Sequence, residues 1–159
     1  WQLSTVQIDY VQPERFGLKY IDSDGKEKTP VMIHRAVVGS PERMLMILLE
    51  HYAGAFPAWL APVQVAVLPI SEKHLGYATK VTDSLKLVNI RCELDARSES
   101  LGAKIRDAEM QKVPFILVMG DKEVEAGTVT VRARGHKETE VYTIEKFKDA
   151  ILDAIMNRK

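Results

Sequence analysis

The segment Phe56-Pro57-Ala58-Trp59-Leu60-Ala61-Pro62 divides the chain. Its two prolines each lack a backbone donor and fix φ, which excludes a helix or a central strand across it. The apolar pattern differs on its two sides. Before it, Val6, Ile8 and Tyr10 alternate with Thr5, Gln7 and Asp9, and the spacing predicts a strand over Thr5–Val11 with one buried face. Phe16–Ile21 alternates too, Asp22–Lys26 reads as a turn with Gly25 free to take positive φ, and Val31–Ile33 reads as a strand. These predict an antiparallel sheet. A helix follows, with Ser40 as N-cap, Pro41 at the first position and Glu42 at the positive end. Met44, Leu45, Met46, Ile47, Leu48 and Leu49 make its apolar surface broad, which predicts burial on most sides up to Gly54.

After the prolines, strands and helices alternate. Val63–Ile70, Ile90–Leu94 and Phe115–Met119 read as buried strands, with amphipathic helices over Leu75–Val88 and Leu101–Lys112. Gly120-Asp121 reads as a turn, Thr128–Arg134 and Glu138–Tyr142 as a hairpin, and Ile144–Met156 as a last helix. The pattern predicts a compact α/β domain over 62–159, with a mixed sheet and three helices, after a separate domain over 1–61.

Composition limits the function classes. Of 159 residues, 46% are hydrophobic and 28% charged, which is globular and excludes collagen-like or low-complexity chains. Lys+Arg and Asp+Glu are both 22, so no whole-chain basic field exists and any nucleic-acid affinity rests on local patches. One cysteine, Cys92, excludes an internal disulfide and a Cys-only zinc cluster, and points to a reducing compartment. No apolar run approaches the roughly 20 residues that span a bilayer, so the expectation is a soluble cytoplasmic chain with no membrane partner. The chain opens at Trp1 on a strand-like alternation, as expected of a piece of a longer protein.

Chemistry-bearing residues fall in a few places. Arg43 lies in the first turn of a helix expected to be buried, against the helix dipole; an anionic ligand would explain it, and so would Glu42 or Glu50. His34 ends a strand, where a lone histidine is structural unless at least two further metal ligands join it. Gln2 precedes Thr5 and Gln7 on the polar strand face, which meets solvent or floors a pocket. Arg132-Ala-Arg134-Gly-His136-Lys137 is locally basic, as are Arg97, Lys104, Arg106 and Lys112. No Gly-rich phosphate loop, Cys-x-x-Cys, Ser-His-Asp set or HExxH is present. From these residues alone no reaction follows.

The runs WQLSTVQIDY, VMIHRA, GSPER and WLAPVQV, at their spacing here, resemble the threonyl-tRNA synthetases, and the resemblance covers essentially the whole chain. It implies the end of a class II catalytic domain, a partial antiparallel sheet with its motif 3 helix, followed by an anticodon-binding domain. In that reading Arg43 contacts the ATP γ-phosphate, with Ser40, Glu42 and Gln2 around the nucleotide, Thr5 and Gln7 lining the amino-acid and adenosine pocket, and His34 one of three zinc ligands. Arg132 and Glu123 would contact anticodon bases, with Lys112 and Ser98 as neighbours, while Lys104, Arg106 and Lys137 neutralise phosphate or are solvated. ATP, Mg2+ and Zn2+ are the implied cofactors. Threonine, its tRNA and a second copy in a homodimer are the implied partners of the full enzyme. Leu3-Ser4 stands where the family has Cys-Gly. The chain alone is expected to be inactive as a ligase; the alternative is a non-catalytic tRNA-binding module.

Overall fold

The computed structural model describes residues 1–136 and 138–158 and separates into two compact units, Trp1–His51 and Tyr52–Lys159. In the first unit, β1 (Thr5–Asp9) pairs antiparallel with β4 (Met32–Ala36), Thr5 opposite Ala36 and Gln7 opposite His34. Between them lie α1 (Val11–Arg15) and a small hairpin of β2 (Tyr20–Ile21) and β3 (Glu27–Lys28). The strand expected to run to Val11 ends at Asp9 because the Asp9 carboxylate accepts the backbone N–H groups of Val11 and Gln12 at 2.8 and 3.0 Å and opens a helix. The strand expected over Phe16–Ile21 shrinks to its last two residues, because α1 and the left-handed Gly17 (φ 63°) take up what precedes them.

The last helix of this region, α2 (Pro41–Tyr52), starts as expected, with Ser40 Oγ accepting the Arg43 N–H at 3.3 Å. Its burial corrects the expectation: none of its residues is buried, and Leu45, Met46 and Leu49 are exposed. Pro13 is the one buried residue in Trp1–His51.

The second unit is built on a five-stranded sheet in the order β6-β5-β7-β8-β9. β5 (Val65–Pro69), β6 (Cys92–Leu94) and β7 (Phe115–Met119) are parallel; β8 (Thr128–Ala133) and β9 (Thr139–Thr143) extend it antiparallel. α3 (Leu75–Lys86) and α6 (Ile144–Met156) cover one face, closing Ala78, Val81, Leu85, Phe147 and Ile151 over Val65, Val67, Leu117 and Val129. α4 (Leu101–Met110) covers the other, packing Leu101, Ile105 and Ala108 over Ala66, Leu68, Ile116 and Val118. Cover on both faces is why β5 and β7 read as unbroken apolar runs. Each buried Val, Leu, Ile or Phe among them contributes roughly 1.5–3 kcal/mol by leaving water.

Two further differences bear on function. The turn expected at Gly120-Asp121 is the start of a short helix, α5 (Asp121–Ala126), closed by Gly127 in the left-handed region. The proline segment packs within the second unit: Gln64 Nε2 donates to Ala58 O, Arg91 donates to Ala61 O and Trp59 O, and Arg134 donates to Ala55 O and Phe56 O.

Candidate functional site

Pairing of β1 with β4 puts Thr5, Gln7, Asp9 and His34 on one face of the ribbon and Val6, Ile8, Ile33 and Arg35 on the other. The expected polarity is reversed. Thr5, Asp9 and His34 are half-buried, whereas Val6, Ile8 and Ile33 are 61, 60 and 64% exposed. A two-stranded ribbon buries an apolar face only when another layer lies on it.

Gln2, Ser40, Glu42 and Arg43 converge where the chain enters β1 and α2 begins. Gly39 N donates to Leu3 O at 2.7 Å, Arg43 Nη1 reaches Gln2 O at 3.4 Å, and Ser40 Oγ donates to Glu42 Oε2 at 2.9 Å. The Glu42 carboxyl is held below its usual range by its own backbone N–H and by Ser40. Arg43 is exposed, which corrects the expectation of a desolvated guanidinium: water covers it, so its burial is no argument for an anion.

His34 Nε2 stands 3.2 Å from Asp9 Oδ2. The Asp9 carboxyl is held low first by the Gln12 backbone bond and then by Val11 and His34. Among the described residues no group of three or more His, Cys, Asp or Glu could hold a metal ion. Two donors do not fit zinc, which takes three or four protein ligands, so no step is assigned to a metal here.

In the second unit the α4 face of the sheet carries a polar strip. Val118 pairs with Thr130 and Ile116 with Arg132, so Thr130 and Arg132 share the face on which α4 lies, beside it. Arg132 Nη2 meets Glu109 Oε1 of α4 at 3.3 Å, so its carboxylate partner is Glu109 rather than Glu123 or Glu125. The pair is half-exposed and worth about 0–1 kcal/mol, too little to lock the guanidinium away from a ligand. Glu123, the third residue of α5, accepts Gly120 N–H at 2.8 Å on one oxygen and the Thr130 hydroxyl at 2.7 Å on the other. Burial pushes its carboxyl up, and the Thr130 and Gly120 bonds outweigh this and hold it below the usual range.

The remaining candidates divide between opposite edges of the sheet. Ser98 is exposed in the turn after β6, at the carboxyl edge of the parallel strands, with Glu123. Lys112 lies at the amino edge, where its ammonium is held by the Ala53 carbonyl and Arg134 binds the Lys112 carbonyl. Lys104 corrects its expectation. It is neither solvated nor a surface phosphate contact but 3% exposed, with Nζ donating to Pro69 O and Asp95 O. Its position shows why: Leu101, Lys104, Ile105 and Ala108 form one helical stripe. Arg106 is exposed, and Lys137 lies outside the described residues.

The sequence reading also missed His74, which is 4% exposed. Its Nδ1 accepts Ser71 N–H at 3.2 Å, leaving the proton on Nε2, 3.0 Å from Asp121 Oδ1. It therefore joins the loop after β5 to the start of α5. The signal was the Ser71-x-x-His74 spacing of a reciprocal helix cap.

Comparison with known proteins places the chain among the tRNA synthetases. The family described as "Anticodon binding domain" matches residues 64–154, and the tRNA synthetase class II core domain (G, H, P, S and T) matches residues 1–52. The threonine–tRNA ligase of Acidobacterium capsulatum is 54% identical over 147 residues, 92% of this chain and 22% of the relative. That of Sulfurihydrogenibium sp. is 51% identical over 158 residues, 99% of this chain and 25% of the relative. The chain thus spans about a quarter of the length of these ligases. Among solved structures, the RNA-binding domain of threonyl-tRNA synthetase from Cryptosporidium parvum superposes with a TM-score of 0.88 at 35% identity, over 97% of this chain and 39% of that one. Prolyl-tRNA synthetase from the same organism shares the fold, with a TM-score of 0.69 at 21% identity over 98% and 34%.

Proposed function

Because the chain belongs to the anticodon binding domain family, we propose that its second unit reads the anticodon loop of threonine tRNA and that the chain forms part of a threonine–tRNA ligase. The observation that carries the reading is the strip Glu123–Thr130–Arg132 on an open part of the sheet face. It offers a carboxylate fixed on Thr130 and, two residues along the same face, a loosely held guanidinium. An unpaired loop exposes base edges, and a guanidinium read against one edge is worth about 1–3 kcal/mol of discrimination. A phosphate contact instead weakens every sequence alike and lowers the salt slope.

In the whole enzyme, ATP with Mg2+ would meet Arg43, Ser40, Glu42 and Gln2, and threonine would lie near Thr5 and Gln7. His34 would supply one ligand to a zinc ion whose other ligands lie beyond these residues. A homodimer working in the cytoplasm belongs to the same reading. The meeting of Gln2, Gly39, Ser40 and Arg43 favours a ligase over a non-catalytic tRNA-binding module, which has no use for half a nucleotide site.

The test is RNA binding by Arg132→Ala at two salt concentrations, using stem-loops with the threonine anticodon and with an altered one. The reading predicts loss of preference for the threonine anticodon with little change in salt slope. Equal weakening of both loops would reduce Arg132 to a phosphate contact and move base reading elsewhere on this face.

A further inference from the structure

Lys104 is a buried cation with no carboxylate within ion-pair distance among the described residues. Its ammonium donates only to the carbonyls of Pro69, at 3.3 Å, and Asp95, at 3.2 Å. Burying an ammonium is unfavourable by several kcal/mol, and two long bonds to neutral carbonyls recover only part of it. An apolar side chain of the same length would lie along Leu68 and Ala108 without that penalty. What an apolar side chain cannot do is join two backbones. Pro69 ends β5, and Asp95 opens the turn after β6, where its N–H is bonded to Val67 O.

The joined turn also carries half-exposed ion pairs of its own, which by themselves do little to fix it. Arg97 donates to Asp95 Oδ1 at 2.9 Å and to Asp95 Oδ2 and Asp107 Oδ2 at 2.7 and 2.8 Å. It also forms the wall between two cavities of about 510 and 340 Å³, which share Ala96, Arg97 and Lys104. The smaller has Ile70 and Leu75 as apolar sides and Ser71 and Ser98 as hydroxyl edges. It opens at the carboxyl ends of the parallel strands, the edge at which α/β sheets of this winding take ligands.

We infer that Lys104 is a positioning residue. Its ammonium ties the Asp95–Ser98 turn to the end of β5 and so sets the width of the crevice that receives an unpaired base of the bound RNA loop. This rests on the anticodon-reading function proposed above. Lys104 touches no phosphate itself; it acts through the turn.

The experiment measures binding of the two stem-loops by the 159-residue chain, wild type, Lys104→Met and Lys104→Gln, at two salt concentrations. Amide exchange is followed at Ala96–Glu99. The expected result for Lys104→Met is a folded protein with faster exchange confined to that turn. Its preference for the threonine anticodon falls at least tenfold at an unchanged salt slope, with Lys104→Gln, which keeps a donor, in between. A preference equal to wild type in a folded Lys104→Met overturns the inference and leaves the anticodon reading standing. A salt slope lower by about one unit also overturns it, because Lys104 would then be a phosphate contact. If neither variant folds, the lysine holds the fold rather than the crevice and the inference fails. A wild-type chain that does not tell the two loops apart removes the anticodon reading, and this inference with it.

Discussion

The two units carry apolar patterns of different kinds and bury them to very different extents. In β5 every residue from Val65 to Pro69 is buried, because α3 and α6 lie on one face of the sheet and α4 on the other. In β1 Val6 and Ile8 alternate with polar residues, yet both side chains are exposed, as is Tyr10 just beyond the strand, and the polar Thr5 and Asp9 are the more covered. Periodicity tells which face of an element calls for a cover; whether the chain supplies one depends on the layers its other elements build. The second unit closes its own core. The first leaves its apolar strand face and most of its helix surface open to water.

The largest expected difference is in catalysis. Electrostatic stabilisation of phosphoryl transfer needs groups fixed in a water-excluded site, and Gln2, Gln7, Glu42 and Arg43 are exposed. Threonine-dependent ATP–pyrophosphate exchange by the 159-residue chain should stay at background. Exchange above it would show that the first unit is a working site.

Stability should show the same contrast. Leu117→Ala removes a fully buried side chain between β5 and β8 and should cost about 2–5 kcal/mol in denaturant unfolding. Ile8→Ala, at an exposed strand position, should stay within about 0.5 kcal/mol. Comparable losses would mean the first unit is as tightly packed as the second.

Much of the second unit was legible in the sequence. Ile144–Met156 was read to the residue because its helical apolar spacing is long, and Phe115–Met119 because a five-residue apolar run is too short for a helix and is bounded by Pro114 and Gly120. The short helices α1 and α5 were not legible, because single carboxylates, Asp9 and Glu123, start and hold them. Of the candidate site, Glu123 is held by Thr130 and Gly120 while Arg132 pairs with Glu109, a partner the sequence reading did not name. Arg43 did not turn out buried, and Lys104 did. Burial of a charged side chain depends on packing that a charge pattern does not reveal, although the helical stripe through Lys104 carried the signal.

The proline segment sharpens where the second unit begins. Arg134 holds the carbonyls of Ala55, Phe56 and Lys112, so Arg134→Ala should cost about 1–2 kcal/mol. It should also speed amide exchange around Ala55–Trp59. Unchanged exchange there would return that segment to a free linker.

The smallest effect concerns Cys92, whose thiol burial pushes up above its ordinary value. A raised folded pKa means the unfolded chain loses its proton first. The thiol's contribution is therefore whole below the unfolded pKa of about 8.5 and is lost as pH rises from there through the higher folded pKa. Between pH 8 and 9.5 the wild-type chain should therefore lose more stability than Cys92→Ala. Tyr77, also raised by burial, titrates higher and remains in both proteins. Parallel pH profiles would mean that Cys92 is open to water in the folded chain.

The most direct test of whether the second unit would bind RNA without the first is to compare residues 52–159 alone with the whole chain. Both are titrated with the threonine-anticodon stem-loop and with its altered counterpart. The account predicts the same affinity within about twofold, below 0.5 kcal/mol, and the same preference for the threonine anticodon. A loss of tenfold or more in either on removing residues 1–51 would contradict it, because the first unit would then be part of the RNA-reading surface.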